Sequence, residues 1–122
     1  MRGFGELEAT IMDRLWARRE PATAREVLGE LQPDRNLAYN TVLTVMDNLF
    51  KKGWLTRQRD GRAHRYEPTA SREEYGARLL RDALDEAGDP AGALVRFVGR
   101  MTATEAAALR QALDTHERDT GR

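Results

Sequence analysis

A chain of 122 residues suits one ordinary domain, or a small domain with an appendage. It contains no cysteine, which excludes disulfides, thiolate metal sites and thiol redox chemistry. Basic and acidic side chains cancel at 20 each, and no apolar run approaches the roughly 18 residues that a bilayer requires. The N-terminal MRGFGELEAT lacks a signal-peptide core, so a cytoplasmic protein without membrane insertion is expected.

Zero net charge conceals an uneven distribution. Residues 1–69 carry 12 basic and 10 acidic side chains, and residues 70–122 carry 8 and 10. Between Lys51 and Tyr66, six cations (Lys51, Lys52, Arg57, Arg59, Arg62, Arg65) meet only Asp60. Local potential, not whole-chain charge, decides which face meets phosphates.

In chain order, Leu7, Ile11 and Leu15 form one apolar stripe over Glu6–Arg18, flanked by Met12 and Trp16. Pro21 ends that pattern. Thr23-Ala-Arg-Glu26 reads as a capping box, and Ala24, Val27, Leu28 and Leu31 mark a short second helix stopped by Gln32-Pro33-Asp34. A third helix is expected from near Ala38 to a C-cap at Gly53, with Ala38, Val42, Val45, Met46 and Leu49 facing the core. The period then changes to extended. Trp54–Arg59 and Arg62–Glu67 flank Asp60-Gly61, a pair suited to a type I′ turn, and Pro68 closes the second strand. That turn sets Arg59 opposite Arg62, Arg57 opposite His64, and Leu55 opposite Tyr66. Helix, helix, helix and hairpin is the order of a winged helix-turn-helix.

The remainder is helical. Ser71-Arg-Glu-Glu74 and Thr102-Ala-Thr-Glu105 are two further capping boxes. Leu79, Leu80, Ala83 and Leu84 form one stripe; after Gly88-Asp89-Pro90 comes an apolar patch of Leu94, Val95, Phe97, Val98 and Met101; Leu109 and Leu113 follow. Glu117–Arg122 is polar and is expected to fray. The fold class is therefore mainly α with a small β-hairpin: a winged-helix domain over 1–69 and a helical region over 70–122. Its apolar stripes exceed what one tail can bury alone, and short helices need a partner surface. A two-fold dimer interface through Leu79, Leu80, Leu84, Leu94, Phe97, Val98, Leu109 and Leu113 is the expected solution.

The third helix carries the chemistry. Opposite its core stripe stand Asn40, Thr41, Thr44, Asn48 and Lys51, with Tyr39 at the entry and Asp47 as the one acid. Short amides and hydroxyls suit the base edges of a major groove, whereas a merely solvated face draws Glu and Lys. Lys52, Arg57, Arg59, Arg62 and Arg65 extend the basic run into the hairpin, as phosphate contacts or as a solvated, charge-protected edge. Six cations with one anion are costly to cluster without a partner, which favours double-stranded DNA.

The run Leu37-Ala-Tyr-Asn-Thr-Val-Leu-Thr-Val-Met46, then Leu49-Phe-Lys-Lys-Gly53, then Asp60-Gly-Arg-Ala-His-Arg-Tyr66 with Pro68, resembles the penicillinase-repressor family (the BlaI, MecI and CopY type). The likeness runs from about Leu7 to the last helix. It implies a homodimeric repressor on a palindromic operator, released when a membrane receptor-protease of the β-lactam response cuts the dimerisation region. Ala93-Leu-Val-Arg-Phe97 is similar to the surroundings of that bond, so Arg96 and Phe97 flank the corresponding position; other members carry Asn where this chain has Arg96. The copper-responsive branch uses C-terminal cysteines, which are absent.

Other chemistries lack an inventory. His64 and His116 stand far apart in sequence, no nucleotide loop is present, and Ser71 is a helix cap. No catalytic residue, cofactor or metal is expected. Two other readings remain: a winged-helix adaptor that binds protein, and a regulator with an effector pocket between its parts.

Overall fold

The computed structural model describes residues 3–32 and 37–121. Among these the elements run α1 (Glu6–Ala17), α2 (Ala24–Leu31), α3 (Tyr39–Lys51), β1 (Leu55–Asp60), β2 (Ala63–Pro68), α4 (Arg72–Glu86), α5 (Pro90–Gly99) and α6 (Ala103–Thr120). The stop expected at Pro33-Asp34 lies outside the described residues. The chain divides into two compact units between Leu80 and Arg81.

In the first unit, α1 buries Ile11, Met12 and Leu15, and α2 buries Ala24, Val27, Leu28 and Leu31. Thr23 caps α2 reciprocally: Glu26 N–H donates to Thr23 Oγ1 at 3.1 Å, and Thr23 N–H donates to Glu26 Oε1 at 2.9 Å. Helix α3 has no such help. Its N-cap is Ala38, without a side-chain hydrogen bond, and Thr41, Val42, Thr44 and Val45 are β-branched residues of modest helix propensity. Burial of Val42, Met46 and Leu49 supplies what propensity does not. Ala38, expected in the core, is exposed because the helix begins one residue later; Val45 is half-buried at the core's margin.

Helix α3 ends in a tight reversal. Gly53 takes φ +88°, its N–H donates to Phe50 O at 3.0 Å, and Trp54 N–H donates to Leu49 O at 2.9 Å. This is the Schellman pattern, which favours glycine because the left-handed region crowds a Cβ. It delivers Trp54 and Leu55 into the core and starts β1.

The hairpin turns one residue later than the sequence suggested. Asp60 pairs with Ala63, Arg59 with His64, Arg57 with Tyr66, and Leu55 with Pro68. The two-residue loop is thus Gly61-Arg62, with φ +65° at Gly61 and no positive φ at Arg62. Positive φ at the first loop position alone fits a II′ turn, which places Gly there. The partners slide by two positions, so every side chain keeps its expected face. A third, minimal strand joins the pair: Ala22 and Tyr66 exchange backbone bonds of 3.0 and 2.8 Å.

The first unit extends past residue 69 because α4 is anchored by aromatics. Tyr75 stacks on Phe4, with centroids 4.1 Å apart and planes at 3°, and meets Trp54 edge-on at 5.0 Å. Its hydroxyl accepts a bond from Phe4 N–H at 2.8 Å, while Trp16 Nε1 donates to Ala70 O at 2.9 Å. Arg72 and Arg78 lie over the Trp16 and Trp54 rings.

The second unit holds the rest of α4, with α5 and α6. Asp89 caps α5 ahead of Pro90, and Thr102 with Glu105 forms the expected capping box on α6. Helix α6 continues to Thr120 instead of fraying from Glu117, with Arg118 favourably placed in its last turn.

Tyr66 ties the hairpin to the core. It is fully buried, and its hydroxyl donates to Asp47 Oδ1 at 2.6 Å. Burial, reinforced by the adjacent carboxylate, pushes the phenol up from 10.0 to about 12. The folded state therefore holds this proton more tightly than the unfolded chain does. The stabilisation is fully present below pH 10 and is lost as pH climbs through about 12. Tyr66→Phe should be less stable than the parent at neutral pH, and that deficit should shrink by about 2–3 kcal/mol between pH 9 and 12.5. Denaturant melts at both pH values test this; equal deficits would show that Tyr66 does not titrate in this window.

Candidate nucleic-acid interface

The core residues of α3 leave Asn40, Thr41, Thr44, Asn48 and Lys51 exposed together on the opposite side. Thirteen residues make about 20 Å of helix, long enough to lie in a major groove. No acid stands in the first turn, and none of the exposed residues just named is acidic. Tyr39 at the entry is half-buried against the core, with the Arg25 guanidinium 4.6 Å from its ring centroid.

Asp47 does not belong to that exposed set of residues. Its Oδ1 accepts from Tyr66 and also from Arg57 Nη1 at 3.0 Å, so one carboxylate joins α3 to both strands of the hairpin. Arg57 is further held over the Phe50 ring, 4.1 Å from its centroid. A lone acid among neutral groove residues, with arginines following in sequence, was the signal for this role.

The basic run is correspondingly less bare than its composition suggests. Arg65 donates to Asp60 at 2.6 Å and to Glu26 at 3.0 Å, and Lys52 pairs with Glu8 at 2.8 Å. The lysine and the Gly5 N–H hold the Glu8 carboxyl below its usual range; the Thr23 N–H does the same for Glu26. Three of the six cations thus have internal carboxylate partners, which corrects the expectation of an unneutralised cluster. Lys51, Arg59 and Arg62 have no carboxylate partner among the described residues. Arg62 sits in the turn, and Arg59 Nε donates only to Gly61 O at 3.1 Å.

Other expected residues are distributed as follows. His64 packs edge-on to Tyr66 in the hairpin, with centroids 6.3 Å apart. A cavity of about 210 Å³ on the hairpin is lined by Pro21, Thr56, Gln58 and Arg65 among others, smaller than the range typical of small-molecule sites. Among the described residues no group of histidines and carboxylates could hold a metal ion, and no helix is long and apolar enough to cross a membrane.

The tail residues are unburied. Leu80, Leu94, Val95, Phe97, Val98 and Leu113 are large apolar side chains between 45% and 73% exposed. Leu79, Leu84 and Leu109 are half-buried, and Arg96 is exposed beside Phe97 in α5. Helices α4, α5 and α6 bury no residue at all, whereas every fully buried apolar side chain among the described residues lies between Ile11 and Tyr66.

A sequence model of the penicillinase repressor family matches residues 4–115. Over 113 residues the chain is 49% identical to the transcriptional regulator BlaI of Mycobacterium tuberculosis, spanning 90% of this chain and 82% of that protein. Its fold is similar to the solution structure of the DNA-binding domain of the repressor BlaI, with a TM-score of 0.53 and 26% identity over 62% of this chain and 94% of that one. It is also similar to monomeric Bacillus licheniformis BlaI solved in complex with the blaP half-operator, with a TM-score of 0.50 and 26% identity over 61% and 89% of the two chains. The matched span takes in the whole winged helix and most of the tail, and the relatives are transcription regulators rather than enzymes. The chain belongs to the penicillinase repressor family.

Proposed function

We propose that this chain is a cytoplasmic repressor that binds a palindromic DNA operator as a homodimer. The observation that carries the DNA reading is the acid-free exposed side of α3, flanked by cations without a carboxylate partner among the described residues. In this reading α3 enters the major groove with Asn40, Thr41, Thr44 and Asn48 at base edges. Lys51, Arg59 and Arg62 meet phosphates, with a minor-groove reach for Arg62 at the turn. Lys52, Arg57 and Arg65 hold the interface in shape and add to its potential, because their charges are partly answered from within. Tyr39 fixes the entry of α3.

Dimerisation rests on a separate observation, the exposure of Leu80, Leu94, Phe97, Val98 and Leu113. Large apolar side chains left exposed in this number point to an interaction site, and a second tail answers them with the same residues. Joining two half-site contacts raises avidity through effective concentration, so losing the dimer loses the operator. A receptor-protease cut between Arg96 and Phe97 would remove half of the α5 apolar face and all of α6. Such a cut leaves the buried core of the winged helix intact.

Three outcomes are expected. Asn40→Ala and Thr44→Ala each weaken operator binding by about 1–3 kcal/mol while barely changing affinity for random duplex; equal losses on both would show that α3 does not read bases. Replacing Arg59 and Arg62 together with Ala lowers affinity for both duplexes and reduces the salt slope by roughly one to two per subunit, and a salt titration with unchanged slope contradicts the wing assignment. Truncation after Arg96 gives a folded monomer that occupies operator poorly where the intact chain saturates it. Analytical ultracentrifugation of both forms decides this, and a truncated chain that stays dimeric and binds normally overturns it.

A further inference from the structure

We propose that Arg25, on α2, is a phosphate-binding residue of the DNA interface, presented by the ring of Tyr39. The inference rests on the DNA-binding reading above and adds to it a contact outside both the groove face and the hairpin. Arg25 is exposed, and its guanidinium carbon lies 4.6 Å from the centroid of the Tyr39 ring. Tyr39 begins α3 and is immediately followed by Asn40, the first residue of the groove face. Arg25 therefore flanks the N-terminal end of that face, as Lys51 flanks its C-terminal end.

The chemistry of the contact favours an anion. A guanidinium over an aromatic ring is held by the ring's quadrupole, an attraction that uses none of the five N–H donors of its fork on a carboxylate. That fork matches the two oxygens of a phosphate. No carboxylate among the described residues takes those donors. The nearby acids of α2 are committed elsewhere: Glu26 to the Thr23 N–H and Arg65, and Glu30 to Arg18. Positions three and four away from Arg25 are Ala22, Pro21, Leu28 and Gly29, so its own helix face offers no counter-charge. The ring also limits the rotamers open to a long side chain, which reduces the entropy lost when a phosphate binds.

A phosphate contact carries no sequence information, so a random-sequence duplex is a sufficient probe. Binding of the intact chain is compared with Arg25→Ala and Arg25→Lys between about 50 and 200 mM salt. Each phosphate neutralised contributes close to 0.9 to the slope, so the affinity ratio of parent to Arg25→Ala should shrink roughly three- to fourfold per bound subunit across that range. Arg25→Lys should keep the parental slope, since an ammonium still displaces counterions, while losing part of the affinity that the planar fork provides. If Arg25 serves only to clamp α2 on α3, both variants melt earlier and Arg25→Ala keeps the parental slope, which overturns the inference alone. No duplex binding by the intact chain at about 50 mM salt overturns the DNA reading, and this inference with it.

Discussion

A single carboxylate oxygen, Asp47 Oδ1, receives the phenol of β2 and the guanidinium of β1 from its seat on α3. The bond from the buried Tyr66 hydroxyl to this charged acceptor is worth about 1.5–3 kcal/mol, above the neutral average. The value of the junction is also geometric. A two-stranded hairpin is marginal by itself in water, and its tip keeps a defined direction relative to α3 only if it is tied to the rest of the fold. The Asp47 junction, the Ala22–Tyr66 backbone pair and the Gly53 reversal fix that direction at three separate points.

The same junction sorts the cations. Arg57 beside Asp47 and Phe50 is partly withdrawn from solvent, and Arg65 is shared between Asp60 of its own hairpin and Glu26 of α2. Half-exposed pairs of this kind add little stability, typically under about 1 kcal/mol. Their larger effect is on the electrostatic surface, because a paired arginine contributes a weaker field than an unpaired one. Within the basic run from Lys51 to Arg65, the cations without a carboxylate partner among the described residues are Lys51 and the tip residues Arg59 and Arg62, so that run's unpaired charge lies at the C-terminal end of α3 and the end of the hairpin.

Much of this architecture was legible in residue order. The Thr23 and Thr102 capping boxes, the glycine after α3 and the 3.6-residue stripes are local signals, and local signals survive without knowledge of the fold. The turn was misplaced by one residue because Gly61 satisfies either two-residue loop: second position after Asp60, or first position before Arg62. Only pairing across the strands distinguishes them. Asp47 stands out in sequence as the one acid of its helix face, but its partners Arg57 and Tyr66 emerge only with the hairpin's position. The aromatic anchor of α4 was invisible for a similar reason, since residues 4, 16, 54 and 75 share no spacing that a periodicity search can detect.

That anchor has an optical consequence. The chain's two tryptophans, Trp16 and Trp54, both sit in the cluster that receives Tyr75, and each has an arginine of α4 over its ring. Indole emission responds to local polarity and to nearby charge, so the entire tryptophan signal of the protein originates where α4 meets the winged helix. Any event that loosens that joint is reported by intrinsic fluorescence without a label.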